Sequence, residues 1–123
     1  MSKKDFGGKI FLRLSSGEAF SLRSTLTLDT SGYSIESVTN QDGSADRVAT
    51  NKTRGAEITF ADRGLDLDAL MKGDRFNATF EEDFTGVTFF FTNGFFTGDP
   101  KINRTNGEVS GLKIEADNIS RRG

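Results

Sequence analysis

The most constraining feature of the sequence is a pair of long strand-forming runs within residues 87–118. Residues 98–107, which join the two runs, contain Pro100 and an Asn-Gly pair, so this connection is predicted to turn rather than to pair. The second run alternates, and a strand with one apolar and one charged face separates a core from water. Leu112, Ile114 and Ala116 form its apolar face, and Lys113, Glu115 and Asp117 form its charged face.

The first of these runs is rich in phenylalanine and is apolar on both faces. Strict alternation places Phe89, Phe91 and Phe95 on one face and Phe90 and Phe96 on the other. A strand that is apolar on both faces is buried on both. In a chain of 123 residues, the second covered face predicts a subunit interface at Phe90 and Phe96.

Further alternating segments precede this pair. Residues 9–14 predict a first strand, and Ser15-Ser16-Gly17 predicts a turn after it. Residues 18–28 predict one continuous strand of about 35 Å at roughly 3.3 Å per residue. Residues 54–61 and 75–81 predict two more strands, and 65–72 predict the one short helix, capped by Asp66 or Asp68 and ended by Gly73.

Residues 29–51 interrupt the alternation. They show no sustained period of 2 or 3.6 residues and carry turn signals at Ser31-Gly32 and Asp42-Gly43. Connections of this length are uncommon in compact domains unless they are functional or disordered. Because Tyr33, Ile35, Val38 and Val48 supply apolar anchors, we expect an ordered contact loop rather than a flexible insertion.

Residue counts exclude several catalytic chemistries and disfavour nucleic-acid binding. The chain has no cysteine and no histidine, which removes disulfides, imidazole acid–base chemistry and the usual zinc sites. Four of its 16 basic residues, Lys3, Lys4, Arg121 and Arg122, lie at the termini, which leaves 12 basic against 18 acidic residues between them. Tight binding to the phosphates of nucleic acid requires clustered positive side chains. We therefore expect a non-enzymatic single domain over residues 1–123, with a polar arm at 1–8 and no cofactor, metal site or membrane segment.

The order of these elements resembles that of the tail tube proteins of contractile-tailed phages. The resemblance is carried by FTNGFFTGDPKINRTNGEVSGLKIEADN, by the preceding helix-like LDLDALMKGD, and by Thr105–Val109 as the turn into the last strand. It implies an all-β fold, a β-sandwich or barrel-like tail tube fold with one short α-helix and a long inter-strand loop. It also implies a structural virion protein that forms hexameric rings, stacked into the inner tail tube.

The resemblance further implies partners and roles. The partners are further copies of the chain and the sheath, terminator, baseplate hub and tape measure proteins, assembled in the host cytoplasm. DNA would pass through the lumen without specific binding. Residues 29–51 would reach the adjacent ring through Tyr33, Ile35, Val38, Asp42 and Val48. The polar strand faces would line the lumen, through Arg23, Thr25, Thr27, Lys113, Glu115 and Asp117.

Two other classes remain open at this point. A tube of a phage-derived bacteriocin or a type VI secretion apparatus would share the architecture without carrying DNA. A monomeric β-barrel would instead bind small apolar ligands around its phenylalanines.

Overall fold

A computed structural model describes residues 4–23 and 26–123 of the chain. These residues form nine strands and one short helix, which confirms the predicted all-β class. The elements are β1 Ile10–Leu14, β2 Ala19–Ser21, β3 Thr27–Asp29, β4 Tyr33–Thr39, β5 Ala45–Asn51, β6 Arg54–Ala61, α1 Leu67–Lys72, β7 Phe76–Glu82, β8 Thr88–Asn103 and β9 Glu108–Arg122.

Seven of the described strands form one antiparallel sheet in the order β2-β1-β7-β8-β9-β6-β3. The sheet curls until its β2 end approaches β6, where Leu22 makes a single bridge to Phe60. The N–H of Arg23 donates to the carbonyl of Thr59 at 2.7 Å beside it. No continuous ladder follows in the described part of the chain, so the sheet is not a closed barrel.

The apolar faces of the sheet meet inside this curl. The predicted inward residues of the last strand are buried, with Leu112 and Ala116 1% and Ile114 0% exposed. Phenylalanines fill the centre in tilted pairs, with ring centroids 4.9 Å apart for Phe20–Phe60 and 5.0 Å apart for Phe80–Phe91. Phenylalanine side chains therefore fill the centre of the curled sheet.

The prediction of one strand across residues 18–28 is wrong. β2 pairs with β1, whereas β3 pairs with β6 at the opposite end of the sheet. Alternation reports which side chains face the core, and it carries no information about which neighbour a strand pairs with. The sequence keeps its alternation, but the neighbouring strand changes from β1 at Ser21 to β6 at Leu22. Thr25 lies outside the described residues.

The prediction of a long loop at residues 29–51 is also wrong. Asp29 ends β3, and residues 33–51 form the antiparallel hairpin β4–β5, with Tyr33 opposite Asn51 and Thr39 opposite Ala45. Every residue of both strands is exposed. A strand with water on both faces needs no apolar–polar alternation, which is the reason why the sequence pattern did not reveal it.

The turn predicted for residues 98–107 is shorter than expected. β8 continues to Asn103, and only residues 104–107 turn. Gly98, Asp99 and Pro100 lie in an irregularity of the β8–β9 ladder, where the register shifts between Gly98 and Lys101. Bulges are among the few places where a sheet tolerates proline, since a bulged residue needs no ladder N–H.

The helix α1 is shorter than predicted and packs against the core. Its N-cap is Asp66, whose carboxylate accepts the N–H groups of Asp68 and Ala69. Leu67, Leu70 and Met71 pack against the core, as a helix of six residues requires for stability. Gly73 caps the C-terminal end of the helix in an extended conformation.

Candidate assembly surfaces

The outward side of strands β3, β6, β9 and β8 forms a polar face. Directly paired residues of an antiparallel sheet point to the same side, and the registers give one row across four strands. Thr27 pairs with Glu57, Glu57 with Lys113, and Lys113 with Thr97. Glu115 lies in the next row and Asp117 beyond it. The structure thus brings together four of the predicted lumen residues, Thr27, Lys113, Glu115 and Asp117.

Most charges of this polar face are paired within the chain. Lys113 lies 4.0 Å from Glu57, and Arg75 lies 3.4 Å from Asp117. The guanidinium of Arg75 also lies 4.7 Å from the centre of the Phe95 ring. The carboxylate of Glu115 has no ion-pair or hydrogen-bond partner among the described residues. It is therefore the carboxylate of this face whose charge is least compensated.

A third ion pair lies at the margin of the polar face, where the β4–β5 hairpin leaves the body. The ammonium group of Lys52 donates to the carboxylate of Asp29 at 2.9 Å. This bond, together with the positive charges of Lys52 and Lys113, holds the pKa of Asp29 below its usual value. Counting Lys52, Arg75 and Lys113 against Asp29, Glu57, Glu115 and Asp117 leaves one excess negative charge per chain.

Arg23 does not lie in the same rows. Its guanidinium donates to the carbonyl of Asn106 at 2.6 Å, which ties it to the turn between β8 and β9. Two further contacts hold this turn: Arg104 pairs with Asp62 at 2.7 Å, and the N–H of Asp62 donates to the carbonyl of Gly107. Arg23 therefore helps to hold the β8–β9 turn, at one end of the polar face.

Phe90 and Phe96 do not share a face, so the prediction that paired them is wrong. Phe90 is 37% exposed, whereas Phe96 is 7% exposed and packs in the core. Between Phe91 and Gly94 two residues, instead of one, separate the core-facing positions, because β8 bulges against β7. Asn93 adopts a positive φ of 57° there, and its N–H donates to the side-chain carbonyl of Asn77.

This bulge reverses the alternation of β8 after Asn93. Phe95 consequently joins the outward, polar face under Arg75, and Phe96 turns inward against the ring of Phe76 at a centroid distance of 4.9 Å. A side chain in the core of its own chain is not available to a second subunit. Phe90 alone remains as a candidate interface residue from that pair.

The β4–β5 hairpin carries the five residues predicted to contact an adjacent ring. Tyr33 and Ile35 lie on one face, with exposures of 60% and 55%. Val38 and Val48 lie on the other face, each 46% exposed. Asp42 lies in the turn and accepts both the N–H and the hydroxyl of Ser44, which lowers its pKa.

Two edges of the polar face lack a strand neighbour in the described chain. β7 stops pairing with β8 at Gly94, so residues 95–103 of β8 pair only with β9. At the other side, β3 pairs only with β6. Unpaired backbone N–H and C=O groups along such edges can pair with another chain.

Sequence reasoning missed several charged residues of the polar face. Glu57 had a usable signal, because it alternates with the buried Ala56 and Ile58. Asp29, Lys52 and Arg75 had none, since they lie at strand ends or in connections whose position only the folded sheet defines.

Within the described residues, no group of three or more acidic, histidine or cysteine side chains is arranged to hold a metal ion. In the same residues, no helix has the length and apolar character needed to cross a membrane.

Comparisons with known proteins agree with this architecture. The family model described as phage tail tube protein matches residues 3–121. No curated protein sequence matches the chain.

Three solved structures share the fold at low sequence identity. The sheath-tube complex of an extracellular contractile injection system, PVC, in its extended state has a TM-score of 0.63 and 11% identity, over 98% of this chain and 93% of that chain. Hcp1 from Flavobacterium johnsoniae has a TM-score of 0.60 and 15% identity, over 94% and 95%. The tube-terminating cap of the anti-feeding prophage has a TM-score of 0.56 and 10% identity, over 99% and 93%.

Proposed function

The chain belongs to the phage tail tube protein family, and we propose that its copies join edge to edge into hexameric rings that stack into the inner tube of a contractile tail. One observation carries this proposal: a polar face of four strands is bounded on both sides by unpaired strand edges. Exposed edges of this kind promote uncontrolled association. A closed ring of copies removes them.

Strand directions allow this closure. Each neighbouring pair among β3, β6, β9 and β8 is antiparallel, so β8 runs opposite to β3. Residues 95–103 of one copy therefore meet β3 of the next copy as an antiparallel pair. The bulge at Gly98–Pro100 restricts the pairing to the residues on either side of it.

In this arrangement the polar face lines the lumen, with Thr27, Lys113, Glu115 and Asp117 on the wall. One excess negative charge per chain gives about six per ring, which repels phosphates weakly and evenly. DNA would then slide through without being held. The tube would contact a sheath outside, a terminator and a baseplate hub at its ends, and a tape measure protein within, and would be assembled in the host cytoplasm into the virion. Its role would be structural rather than enzymatic.

A tube of an injection apparatus that carries no DNA is the second candidate. The fold similarity to the PVC sheath-tube complex favours it. Neighbouring genes for capsid and tape measure proteins would indicate a phage, whereas effector or lysis genes without a capsid gene would indicate the alternative.

Engineered cysteines test the ring directly, because the chain has no native cysteine. Thr27 and Thr97 lie in one row three strand spacings apart, about 14 Å within one chain. A disulfide needs Cα atoms within about 7 Å. The double variant Thr27→Cys/Thr97→Cys can therefore be oxidised only between copies, and it should give a ladder ending at a closed hexamer on denaturing gels.

Each single variant is the matched control and should give dimers at most. Because register between copies is not fixed by one chain, the second cysteine is also placed at Asp99 and at Lys101. Ladders absent from all three double variants would contradict ring closure through these edges.

A further inference from the structure

The chain contains two Asn-Gly pairs, and the fold places them in different surroundings. Asn106-Gly107 lies in the short turn between β8 and β9, where Asn106 is exposed and its side chain makes no hydrogen bond to another described residue. Asn93-Gly94 lies inside β8. Because asparagine is chemically labile, the two pairs differ in how readily each is modified.

An Asn-Gly pair modifies itself in water. The backbone nitrogen of the glycine gives its proton to hydroxide and attacks Cγ of the asparagine side chain. The Cγ–Nδ2 bond then breaks, and the leaving nitrogen takes a proton from water and departs as ammonia. Water opens the resulting succinimide ring at one of its two carbonyls, which gives aspartate or isoaspartate. Glycine favours the reaction because it has no side chain beside the attacking nitrogen.

Arg23 stabilises the charge that this reaction creates at residue 106. Its guanidinium donates to the carbonyl oxygen of Asn106 at 2.6 Å, and this oxygen belongs to the same peptide group as the nitrogen of Gly107. When that nitrogen loses its proton, the negative charge spreads onto the oxygen. A positive donor already held there lowers the free energy of the anion, as donors fixed on a developing oxyanion do.

The attacking nitrogen is held by one backbone hydrogen bond. The N–H of Gly107 donates to the carbonyl of Asn103 at 2.8 Å, and residues 103–106 are all exposed. Exposed turns at the end of a hairpin open at a small cost in free energy. Hydroxide therefore reaches this N–H without unfolding of the sheet.

The second pair lacks this access. Gly94 is buried and pairs with Phe76 on β7 and Ala116 on β9. The side-chain amide of Asn93 donates to the carboxylate of Asp117, whose negative charge opposes formation of an anion beside it. Arg75 also approaches the carbonyl of Asn93, but at 3.4 Å and while it is paired with Asp117.

We propose that Asn106 is a self-modification site, which deamidates in the folded chain with Gly107 as the nucleophile and Arg23 as the electrostatic promoter. The reaction needs one chain and water, so it is independent of assembly. Either product adds a negative charge to the turn. Isoaspartate also lengthens the backbone between residues 106 and 107, which displaces the carbonyl of Gly107 from the N–H of Asp62, 2.7 Å away in the unmodified chain.

Peptide mapping of the wild-type protein after incubation in mildly alkaline buffer tests the site. Trypsin cleaves after Arg104 and Lys113, and Asn106 is the only asparagine of the peptide 105–113. In the folded protein this peptide should convert to its aspartate and isoaspartate forms, whereas Asn93 should remain intact. In urea both sites should convert at similar rates, because the same residue follows each of them.

Arg23→Gln tests the promoter, since glutamine keeps an amide donor and removes the positive charge. Conversion of Asn106 in the folded variant should be slower by about threefold or more, and conversion in urea should be unchanged. Arg13→Gln is the matched control, because β1 pairs with neither β8 nor β9, and it should convert as the wild type does.

The sign of the effect separates this role from a structural one. If Arg23 only held the turn closed, its replacement would speed conversion in the folded chain, so a variant that converts as fast as the wild type or faster would overturn the role of Arg23. Two results with the wild type alone would overturn the site. One is an unmodified peptide 105–113 in the folded protein together with conversion in urea, and the other is equal conversion of Asn93 and Asn106 in the folded protein.

Discussion

Two glycines allow β8 and β9 to pass each other closely at their irregularity. Gly98 has φ of 104° and Gly111 has φ of 84°. A Cβ at Gly98 would lie 2.3 Å from the carbonyl oxygen of Gly111, and a Cβ at Gly111 would lie 2.4 Å from that of Asp99. Both the backbone angle and the contact exclude a side chain there. Gly98 and Gly111 therefore determine where the β8–β9 ladder becomes irregular.

Gly98→Ala should lower the free energy of unfolding of the unassembled subunit by more than the roughly 1–3 kcal/mol expected for a strained φ alone. Urea denaturation measures it. Gly17→Ala is the control, since Gly17 also has a positive φ of 95° but no atom within 4 Å of a new Cβ. Equal losses in the two variants would show that the carbonyl contact has no energetic effect.

Asp62 gives the β8–β9 turn a dependence on pH. The N–H of Gly64 donates to its carboxylate, and Arg104 pairs with it, so its pKa is lowered. A lowered pKa stabilises the folded chain above the unfolded value of about 4. That stabilisation is lost as the pH falls through the folded value.

Asp62→Asn removes this titration. Between pH 5 and pH 3 the urea midpoint of the wild type should fall more than that of the variant, because only in the wild type does the unfolded chain take up a proton at residue 62 more readily than the folded chain does. The other carboxylates titrate equally in both proteins and cancel in the comparison. Equal decreases of the urea midpoint in the two proteins would show that the ionised Asp62 carboxylate does not stabilise the folded chain.

At the scale of elements, the alternation of apolar and polar residues correctly predicted the strands that pack one face in the core. β6 was predicted at its observed bounds, and β1 and β7 were predicted within one residue at each end. Each of these strands has one face that packs in the core. The β4–β5 hairpin has no buried face, and the break between β2 and β3 depends on distant partners, so local pattern carried no signal for either.

The prediction of the surfaces was limited in the same way, because it relied on regular alternation along each strand. Thr27, Lys113, Glu115 and Asp117 were predicted together because their strands alternate regularly. Phe96 was assigned to the wrong face because one extra residue near Asn93 reverses the alternation, and a bulge depends on the neighbouring strand rather than on local sequence.

The exposure of the hairpin leads to an element-scale prediction. Replacing residues 36–50 by a Gly-Ser turn removes no buried side chain, and loop closure depends only weakly on length. The thermal unfolding midpoint of the subunit should therefore change little, whereas ring stacking should fail. Calorimetry and electron microscopy measure the two effects. Long tubes from the shortened protein would show that the hairpin does not join rings.

At the scale of the whole molecule, the charge of the polar face decides what a lumen would hold. Three ion pairs neutralise most of it and leave Glu115 uncompensated. Glu115→Lys changes the net charge from −1 to about +1 per chain, without breaking a pair as a change at Asp117 would.

Assembled Glu115→Lys tubes should retain short DNA with a steep dependence on salt, and wild-type tubes should not. Asp83→Lys is the matched control, because it makes the same charge change at an exposed position in the turn between β7 and β8, outside the four strands of the polar face. If both variants bind DNA alike, the polar face does not line the lumen.

The central claim is that this chain assembles through the edges of one sheet into hollow rings. Negative-stain electron microscopy of the purified wild-type protein at micromolar concentration tests it most directly. The account predicts six-fold rings with an open centre, alone or stacked into tubes. Monodisperse particles with the size of a single 13.4 kDa chain at every concentration would contradict it.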